Sequence, residues 1–539
     1  MKGYFSKKIS EWTPEIVFGL SNYSFGSLLC DVRAGLLVSV VAFPLFMTFA
    51  IASGVAPHIG VITCIVAGTL ICLCGGARFQ IVGPTGAFAM IVHDIIKVYN
   101  FDGMTCALLM AGVMMILFGL MKVGDLIHYI PYPITAGFTA GIGLSIIASQ
   151  LNVFLGLHVE SMPTNFVERL SSCWTYLHTM NVYSCGLAIF SLIFMAAMQK
   201  YKPNLPKYFF VLILGVICSL LLPDAGMETI GSKFGDISDL LLRPSMPQVF
   251  INLEEFKKLF PSAFAIAFLG SLESLMGAVI SDNLSGQKHR SNMELLGQGI
   301  ANLGAGFFGG IPATCALSTT ALNVKVGAKT PVAGLCCVAF IVLFVLCLGK
   351  FVKIIPMACL SAMLLNTAWN MAALRKTKYI LLAPKSDSFV FIVTVLITLL
   401  MDIVVAVEVG LVLSAFLFIK RSVETTTTET FLKVIAGKNK DKTECECVRI
   451  CGHLFFGAAP ILYNALKSLP HIHDIVYIDM QNVPFVDASG AKVLREFVTE
   501  MKCRNIEVII GGLNKRIIKV LKKMDLNGEL LSHLSEEKI

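Results

Sequence analysis

The chain has 539 residues, of which 56% are hydrophobic and only 14% charged, and its mean hydropathy is +0.76. Soluble globular proteins carry about 25% charged residues, so these values exclude a soluble protein and predict one that crosses a membrane many times. The net charge of +8 fits cytoplasmic loops rich in Lys and Arg. No basic cluster accompanies aromatic residues, which argues against nucleic-acid binding.

Residues 1–33 are of mixed polarity and lack the short apolar run and small-residue cleavage site of a signal peptide. We expect them to form an amphipathic segment on the cytoplasmic membrane surface. The chain then becomes apolar, with no Asp, Glu, Lys or Arg between Arg33 and Arg78. Roughly 20 apolar residues cross a hydrocarbon core about 30 Å thick, so residues 34–421 are predicted to form a transmembrane domain.

About fourteen apolar spans follow one another in this domain, in two halves at about 34–222 and 260–419. An even number of spans puts both termini on the same side, and Lys420 and Arg421 indicate that this side is the cytoplasm. The predicted spans are 34–53, 58–77, 84–97, 104–121, 132–151, 182–199, 208–222, 260–281, 293–310, 314–324, 330–349, 354–372, 388–402 and 403–419.

The composition changes after residue 421. Residues 422–443 are predicted to be a linker and 444–539 a small cytoplasmic α/β domain, because strand and helix patterns alternate there. The strands are expected at 448–456, 474–480 and 506–512, and the helices at 458–468, 490–502 and 514–523.

The 17 cysteines lie mostly inside apolar spans, where cysteine acts as a small hydrophobe, so we expect neither a disulfide framework nor a redox site. The stretch CECVRIC at 445–451 leaves two alternatives. It is either a β-strand in a reducing cytoplasm or, together with His471 and His473, a set of metal ligands. We expect the strand and no metal site.

Two glycine–proline breaks interrupt the apolar spans at matching positions in the two halves. GGARFQIVGPTGAF contains Pro84, and GGIPATCALSTTALN contains Pro312, 228 residues later. The spans starting at 34 and 260 have nearly the same offset, which predicts two seven-span halves. Because seven is odd, the second half would enter the membrane from the opposite side, as in transporters with inverted repeats.

In such transporters two broken helices meet near the midplane with their N-termini facing each other. Proline suits the first turn of a helix, and the bare amide groups of a helix N-terminus attract anions. Irregular backbone is tolerated at membrane depth only where it is buried or lines a cavity. The breaks therefore predict an anion-binding site; the alternative is that each break only kinks a helix for packing.

Glu273 is the only charged residue between Lys258 and Asp282, in FLGSLESLMGAV. A charge at mid-membrane costs at least about 2.5–3.5 kcal/mol and marks a functional site by default. An ionised Glu273 would repel a bound anion, so we expect it to be protonated or paired with a cation when the anion is present. That would couple anion entry to H⁺ or Na⁺. The alternative is a structural carboxylate bonded to a neighbouring helix.

Long motifs in this chain resemble the sulfate permease (SulP) family of anion transporters. They are FPLFMTFAIASGVAPHIGVITCIVAGTLICLCGGARFQIVGPTGAF, the stretch SLESLMGAVISDNLSGQKHRSNMELLGQGIANLGAGFFGGIPAT, and GAKTPVAG after it. The tail, with VPFVDASGAKVL, resembles a STAS domain. The resemblance implies a uracil-transporter-like fold of fourteen spans, in which a core domain carries substrate past a gate domain in an elevator-like motion, usually as a homodimer.

The resemblance also implies which residues line the substrate site, with Glu273 beside them as the coupling group. They are Phe43, Phe46, Thr85, Gly86, Phe88, Ala316, Leu317, Ser318 and Thr319. In the tail, DASG resembles the loop in which related STAS proteins are phosphorylated, here at Ser489. The alternative is that this serine only caps the helix that follows, and docking of a cytoplasmic protein partner is a further expectation for the domain.

One departure from the family concerns the charge of the substrate. Many members have arginine after the second break, in a pattern like GAIARTATN, where this chain has Thr319 in CALSTTALN. Arginine is the natural bidentate partner of oxyanions. Its absence disfavours a strongly charged divalent anion such as sulfate and favours monovalent bicarbonate, or an anion whose charge a co-transported cation offsets. Bicarbonate, sulfate and a dicarboxylate all remain open as the substrate. Gly277, one turn after Glu273, has no side-chain oxygen, which disfavours Na⁺.

Several rival functions remain open at this point. An enzyme is disfavoured because no metal pair, nucleophile–base set or phosphate loop stands out, and we expect no cofactor. A nucleobase:cation symporter of the same fold would need side-chain acceptors for base edges, and an uncoupled exchanger or channel would not need Glu273. We expect a secondary active transporter in the cytoplasmic (inner) membrane of a bacterium, with both termini cytoplasmic.

Overall fold

The computed structural model describes residues 11–21, 23–125, 131–159, 163, 165–202, 206–235, 253–372, 374–401, 403–436, 442–467 and 475–524. The chain divides into two compact units, Met1–Leu411 and Val412–Ile539. The first unit is helical apart from two very short strands, and the second contains a four-stranded sheet.

The helices of the first half follow the predicted spans closely. They are α1 Glu15–Leu20, α2 Phe25–Ala52, α3 Pro57–Cys74, α4 Gly86–Leu120, α5 Tyr132–Leu155, α6 Phe166–Thr175, α7 Val182–Tyr201, α8 Lys207–Leu221 and α9 Ile230–Phe234, with strand β1 Val82–Gly83 between α3 and α4.

The second half has the same succession of elements. They are α10 Leu253–Ser285, α11 Ser291–Phe307, strand β2 Thr314–Cys315, α12 Leu317–Lys325, α13 Val332–Val352, α14 Met357–Ala372, α15 Leu374–Leu381, α16 Lys385–Leu400 and α17 Ile403–Glu424.

Three features differ from the sequence-based expectation. Helix α2 begins at Phe25, so the first helix reaches back into the segment 1–33. The third and fourth predicted spans form one element, α4, which is interrupted at Asn100, whose backbone has φ 57° and ψ −172°. This backbone conformation is not helical, so Asn100 divides α4 into two parts, and it lies between the two predicted spans. The short helices α6, α9 and α15 lie outside the predicted spans because their apolar character is too weak to mark a span.

The packing of the helices repeats between the two halves. By their order in the two halves, α2 corresponds to α10, and the later part of α4 corresponds to α13. Helix α13 packs against α2, and α10 packs against α4, so the same contact is made twice with the halves exchanged. In the same way α11 contacts α4 while α13 contacts α3, and α16 contacts α5 while α14 contacts α7. Helices α3 and α11 pack on each other, as do α5 and α14. This exchange of equivalent contacts is the inverted repeat that the matching breaks predict.

Seven of the described helices are long and apolar enough to cross a membrane, and two shorter apolar helices, Lys207–Leu221 and Val332–Cys347, accompany them. The long ones are Phe25–Ala52, Pro57–Cys74, Gly86–Leu120, Tyr132–Leu155, Val182–Tyr201, Phe256–Ser285 and Met357–Leu381. Their buried faces form two large apolar clusters within the first unit.

The second unit is a sheet covered by helices. Its strands are β3 Thr427–Ala436, β4 Lys442–Cys451, β5 Ile475–Asn482 and β6 Glu507–Gly511, in spatial order β3-β4-β5-β6, and its helices after α17 are α18 Ala459–Lys467, α19 Ala488–Cys503 and α20 Lys515–Met524. Strands β3 and β4 are antiparallel, and the other pairs are parallel.

The structure corrects the predicted linker at 422–443, because Thr427–Ala436, inside that segment, is strand β3 and pairs with β4. Its sequence TTETFLKVIA is rich in threonine and β-branched residues, which favour strands, but its polar start resembles a linker. Cys445 and Cys447 are buried in β4, as the strand interpretation of CECVRIC requires, while His471 and His473 lie outside the described residues.

Candidate functional site

The two breaks meet as a two-stranded antiparallel sheet in the first unit. Val82 pairs with Cys315, and Gly83 pairs with Thr314. The pair is extended by Ala316, whose amide donates to the carbonyl of Ile81 at 2.9 Å. The two breaks, distant in the sequence, therefore lie side by side as one strand pair, which we call the crossing. Helix α4 begins shortly after β1, and α12 begins shortly after β2.

The prolines do not occupy the first turns of these helices, which corrects the sequence-based expectation. Thr85 is the N-cap of α4, so Pro84 lies just outside the helix, and Pro312 precedes β2. A residue before proline favours extended backbone, and Gly83 before Pro84 is indeed in β1. The prolines thus help to form the strand pair rather than the helices.

Neither helix start is closed by its own N-cap side chain among these described residues. Thr85 and Ala316 precede α4 and α12 without a capping hydrogen bond to the first turn. The first amide groups of a helix have no partner inside the helix, and its N-terminus carries the positive end of the dipole. The crossing therefore presents two partly positive helix ends in one place.

Glu273 lies on α10 beside this crossing. Its carboxylate accepts a hydrogen bond from the Thr85 hydroxyl at 3.1 Å, and the residue is only partly buried. Helix α10 comes close because it has glycines where it faces the crossing. A Cβ added at Gly277 would lie 2.1 Å from Cys315 Sγ, and the Gly270 carbonyl accepts the Thr314 hydroxyl at 2.9 Å.

The three predicted aromatic residues lie around the crossing in different ways. Phe46 is almost fully buried, and its ring covers Gly83, where an added Cβ would lie 2.6 Å from the ring. Phe88 is buried against Gly270 of α10. Phe43 packs edge-on to Phe344 of α13 with 6.1 Å between ring centroids. Phe46 and Phe88 therefore support the two sides of the crossing.

The predicted residues of α12 separate into exposed and buried groups. Ser318 is exposed and Leu317 is partly exposed, whereas Ala316 and Thr319 are buried. The Thr319 hydroxyl donates to the Ala316 carbonyl at 2.9 Å. Position 319 thus supplies neither a positive charge nor a free hydroxyl, and Ser318 is the polar side chain of this turn that faces outward.

Gly86 marks a contact between the crossing and a second group of helices. A Cβ added there would lie 2.9 Å from Ile146 of α5, 3.1 Å from Phe49 of α2 and 3.4 Å from Met371 of α14. Only glycine lets these side chains pack directly on the start of α4. Gly86 therefore lies where the start of α4 touches α2, α5 and α14.

A second buried carboxylate, Glu294 on α11, was missed by the sequence analysis. It is fully buried, and its Oε2 accepts hydrogen bonds from the amides of Gly76 and Ala77, both at 2.9 Å. Its Oε1 lies 3.0 Å from the Ser274 hydroxyl, next to Glu273. The signal was present, because Glu294 is the only charged residue between Arg290 and Lys325.

Two further polar clusters hold the N-terminal part of the first unit. Glu15 is buried and forms ion pairs with Arg78 and Arg290, both at 2.7 Å. Asp31 is fully buried and accepts the Thr330 hydroxyl and the Lys329 amide, both at 2.6 Å, together with the Thr330 amide.

Tyr23 supplies the fourth hydrogen bond to Asp31, from its hydroxyl at 3.1 Å. Burial raises the pKa of Tyr23 to about 12, with further contributions from the charge of Asp31 and from the hydrogen bond to it. The tyrosine therefore keeps its proton at physiological pH and remains a hydrogen-bond donor.

A pocket of about 530 Å³ lies elsewhere in the first unit, between the ends of α5 and α9 and the starts of α7 and α14. Polar residues of its lining include Asn152, His178, Glu228 and Lys233. None of the predicted substrate residues lines it among the described residues, so the pocket and the crossing are distinct features.

In the second unit, Ser489 is not the N-cap of α19. Asp487 takes that role, because its side chain accepts the Gly490 amide at 2.9 Å and also the Phe456 amide at 2.9 Å. The capping alternative for Ser489 is therefore wrong. The serine is the second residue of α19 and is partly buried. It lines a small pocket with Lys492 and Arg495.

Across the described part of the chain, no group of three or more His, Cys, Asp or Glu side chains is arranged to hold a metal ion. The polar groups at the crossing are one partly buried carboxylate, hydroxyls and helix amides. This set can bind and release a small anion near a titratable group.

Comparison with known proteins gives the same fold. The structure of SLC26A9 superposes with a TM-score of 0.86 at 19% identity and covers 99% of this chain and 92% of that one. The transmembrane domain of the cyanobacterial bicarbonate transporter BicA superposes with a TM-score of 0.63 at 25% identity, covering 73% of this chain and 98% of that one.

Sequence comparison identifies relatives along nearly the whole chain. YvdB of Bacillus subtilis is 36% identical over 507 residues, which cover 94% of this chain and 95% of that protein. The bicarbonate transporter BicA of Picosynechococcus is 27% identical over 533 residues, covering 93% and 92%. The sulfate permease family matches residues 28–394, and the STAS domain matches residues 438–538. The chain therefore belongs to the sulfate permease family of membrane anion transporters, carries a STAS domain, and is a transporter rather than an enzyme.

Proposed function

We propose that the protein is a secondary active transporter that takes a small anion across the bacterial cytoplasmic membrane together with H⁺ or Na⁺. The observation that carries this proposal is the hydrogen bond from Thr85 to Glu273 at the crossing of the two broken helices. It puts a titratable carboxylate beside two helix N-termini, so the site that attracts the anion also contains the group that a cation would neutralise.

The balance of energies favours coupling. A helix N-terminus stabilises an anion by about 0.3–1 kcal/mol, and by up to ~2 kcal/mol when partly buried. Removing water from an ion costs several kcal/mol even after relaxation. Two helix ends do not offset that cost, and an ionised Glu273 would add repulsion. Neutralising Glu273 with a proton or a cation removes the repulsion, so anion and cation would bind together.

The substrate that best fits this site is monovalent, with bicarbonate first. BicA, one of the relatives, is named a bicarbonate transporter. Thr319 supplies no charge, and its hydroxyl is engaged by the Ala316 carbonyl, so the site has no fixed cation to balance a dianion. Sulfate or a dicarboxylate would need additional protons or cations to be transported.

The coupling ion that best fits is the proton. Na⁺ prefers several oxygen ligands, and the α10 position one turn after Glu273 is Gly277, which has no side chain and packs on Cys315. A proton needs only the carboxylate. The movement of the site would occur where Gly86 meets Ile146 and Met371, as an elevator-like sliding of the core past α5 and α14.

The remaining parts of the proposal concern assembly. We place both termini in the cytoplasm and expect a homodimer, with the STAS domain as the docking site of a cytoplasmic partner. Ser489 with Lys492 and Arg495 beside it is a candidate regulatory phosphorylation site, since phosphate would be next to basic side chains and a helix N-terminus.

The test is uptake of labelled bicarbonate, sulfate, chloride and fumarate into proteoliposomes under an inward H⁺ or Na⁺ gradient. We expect bicarbonate uptake that needs the H⁺ gradient and is lost in Glu273→Gln. Glu424→Gln is the matched control, because Glu424 is exposed and pairs only loosely with Lys420, at 3.8 Å. Uptake that ignores both gradients and survives Glu273→Gln would identify an exchanger or channel instead.

A further inference from the structure

The Ser274 hydroxyl lies at the centre of a fully buried polar cluster between α10, α11 and the segment before β1. Three acceptor oxygens surround Ser274 Oγ: Glu294 Oε1 at 3.0 Å, Gln80 Oε1 at 3.3 Å and Gln298 Oε1 at 3.4 Å. Ser274, Glu294 and Gln298 have no exposed surface, and Gln80 is 4% exposed.

The orientation of the two amide side chains is fixed by their other ends. The Gln80 side-chain nitrogen donates to the Ser274 carbonyl, and the Gln298 nitrogen donates to the Ala313 carbonyl. A main-chain carbonyl can only accept, so neither amide can be turned around to present its nitrogen to Ser274. Both amide oxygens therefore face the serine as acceptors.

The hydrogen count does not balance if Glu294 is ionised. A serine hydroxyl has one hydrogen, and three acceptors converge on it. If Glu294 carries a proton on Oε1, that proton is donated to Ser274 Oγ, and the serine hydrogen is free to go to Gln80 or Gln298. Glu294 Oε2 remains an acceptor for the amides of Gly76 and Ala77. The added proton leaves fewer buried acceptors without a donor, and buried polar groups are almost always paired.

The charges around Glu294 do not replace this proton. Arg290, one turn earlier, binds Glu15 at 2.7 Å, and His289 binds Asp282 at 2.7 Å. Cys72 of α3 and Cys315 of β2 interact with Glu294 and carry no positive charge. His289 also interacts with Glu294 electrostatically, but its ring pairs with the carboxylate of Asp282. No described Lys or Arg lies within ion-pair distance of Glu294.

Glu273 of α10, next to Ser274 in sequence, is itself acidic and supplies no positive charge. The end of α4 packs on this part of α11, and Lys122, just after that end, pairs with Glu11 at 2.7 Å. Asp31 makes the contrast plain, because all four of its hydrogen-bond partners are donors.

We propose that Glu294 is protonated in the folded protein and donates this proton to Ser274, which makes it a positioning residue for the crossing. The proton joins α11 to α10 next to Glu273, while the other carboxyl oxygen holds the backbone that leads into β1. This inference goes beyond the proposed transport function and does not rest on it. It makes Glu294 a second protonated carboxyl whose proton stays in place, distinct from the titrating Glu273.

The test is infrared spectroscopy of the purified full-length protein, in which a protonated carboxyl group has a C=O stretching band that a carboxylate lacks. Glu273→Gln is the background, so that Glu273 contributes no signal. At neutral pH we expect a carboxylic-acid band in Glu273→Gln that is lost in the double variant Glu273→Gln/Glu294→Gln. Ser274→Ala in the same background should shift the band to higher wavenumber, because the carboxyl proton loses its acceptor.

Glu424→Gln in the same background is the control and should leave the band unchanged, because Glu424 is exposed. Glu294→Gln should fold, since an amide offers one acceptor and one donor in the places of a protonated carboxyl. Its thermal midpoint should stay close to that of the parent, while Glu294→Ala should lower it. Loss of carboxylate absorption, with an unchanged carboxylic-acid region, in the double variant would show that Glu294 is ionised and overturn the proposal.

Discussion

The hydroxyl of Thr85 donates to the carboxylate of Glu273 at 3.1 Å, although 188 residues separate them in the chain. Thr85 precedes the first turn of the first broken helix, and Glu273 is a partly buried acid on α10. The contact joins the helix end that attracts the anion to the group that would carry the coupling ion. Thr85 is therefore expected to influence how strongly Glu273 holds its proton or cation.

Thr85→Ala should weaken coupled uptake while Thr85→Ser should largely retain it. A hydrogen bond to a charged group contributes about 1.5–3 kcal/mol, and the alanine variant loses the contact that joins Glu273 to the helix end. The pH dependence of uptake should therefore differ between Thr85→Ala and the parent. Uptake measured against internal and external pH checks this, and identical profiles for the alanine and serine variants would contradict it.

Gly277→Ala should disturb the crossing. The added Cβ would meet Cys315 Sγ at 2.1 Å, so α10 and β2 would have to move apart, and such overpacking costs roughly 1–3 kcal/mol. Gly186→Ala is the control, because nothing lies within 4 Å of a Cβ there. Thermal unfolding in detergent should show a lower midpoint for the first variant and an equal or higher one for the second, since alanine favours helix.

Asp31→Asn should destabilise the first unit. The carboxylate accepts two main-chain amides at Oδ1 and the Tyr23 and Thr330 hydroxyls at Oδ2. An asparagine has no charge to strengthen these bonds, and both hydroxyls would have to turn to accept from its nitrogen. Hydrogen bonds to a charged group contribute about 1.5–3 kcal/mol, against about 0.5–1.5 kcal/mol for neutral ones. The midpoint of thermal unfolding is the measurement, with Glu424→Gln as the exposed control expected within about 0.5 kcal/mol of the parent. Equal effects of the two substitutions would be evidence against the hydrogen bonds to Asp31.

Asp487→Ala should loosen the STAS domain at the start of α19. Asp487 caps the helix and also holds the Phe456 amide, and losing an N-cap costs about 0.5–2 kcal/mol. Hydrogen exchange in the full-length protein should speed up in peptides from 488–503. Ser489→Ala should leave exchange near the parental rate, because the serine is not the cap. Faster exchange in the serine variant than in the aspartate variant would refute this assignment.

Much of this architecture follows from patterns that are local in sequence. The long apolar spans predict helices within a few residues, because charge-free runs of this length have few alternatives in a membrane. The strands predicted at 474–480 and 506–512 match β5 and β6, whereas the one predicted at 448–456 begins six residues later than β4, which is Lys442–Cys451. The matching breaks with Pro84 and Pro312 led to the crossing because both carry the same rare combination of glycine, proline and threonine.

Other features depend on distant partners and could not be predicted locally. The start of α2 at Phe25 is not among them, because Ser24 caps the helix locally by accepting the Ser27 amide at 3.2 Å. The burial of Thr319 depends on which side of α12 faces the crossing. Strand β3 is specified by its pairing with β4 rather than by its own pattern. Glu294, by contrast, was detectable from the sequence, because like Glu273 it is the only charged residue in a long uncharged stretch.

The strand pair at the crossing also has a consequence for how the protein is made. The amide of Ile81 finds its partner in the hydroxyl of Thr320, which is 239 residues further along the chain. During synthesis, the first half therefore enters the bilayer before β2 and Thr320, the partners of this segment, have been made. Its exposed amide and carbonyl groups would be costly in lipid, since each unpaired group there costs several kcal/mol. The nascent first half must keep this segment in contact with water or with the insertion machinery until β2 emerges.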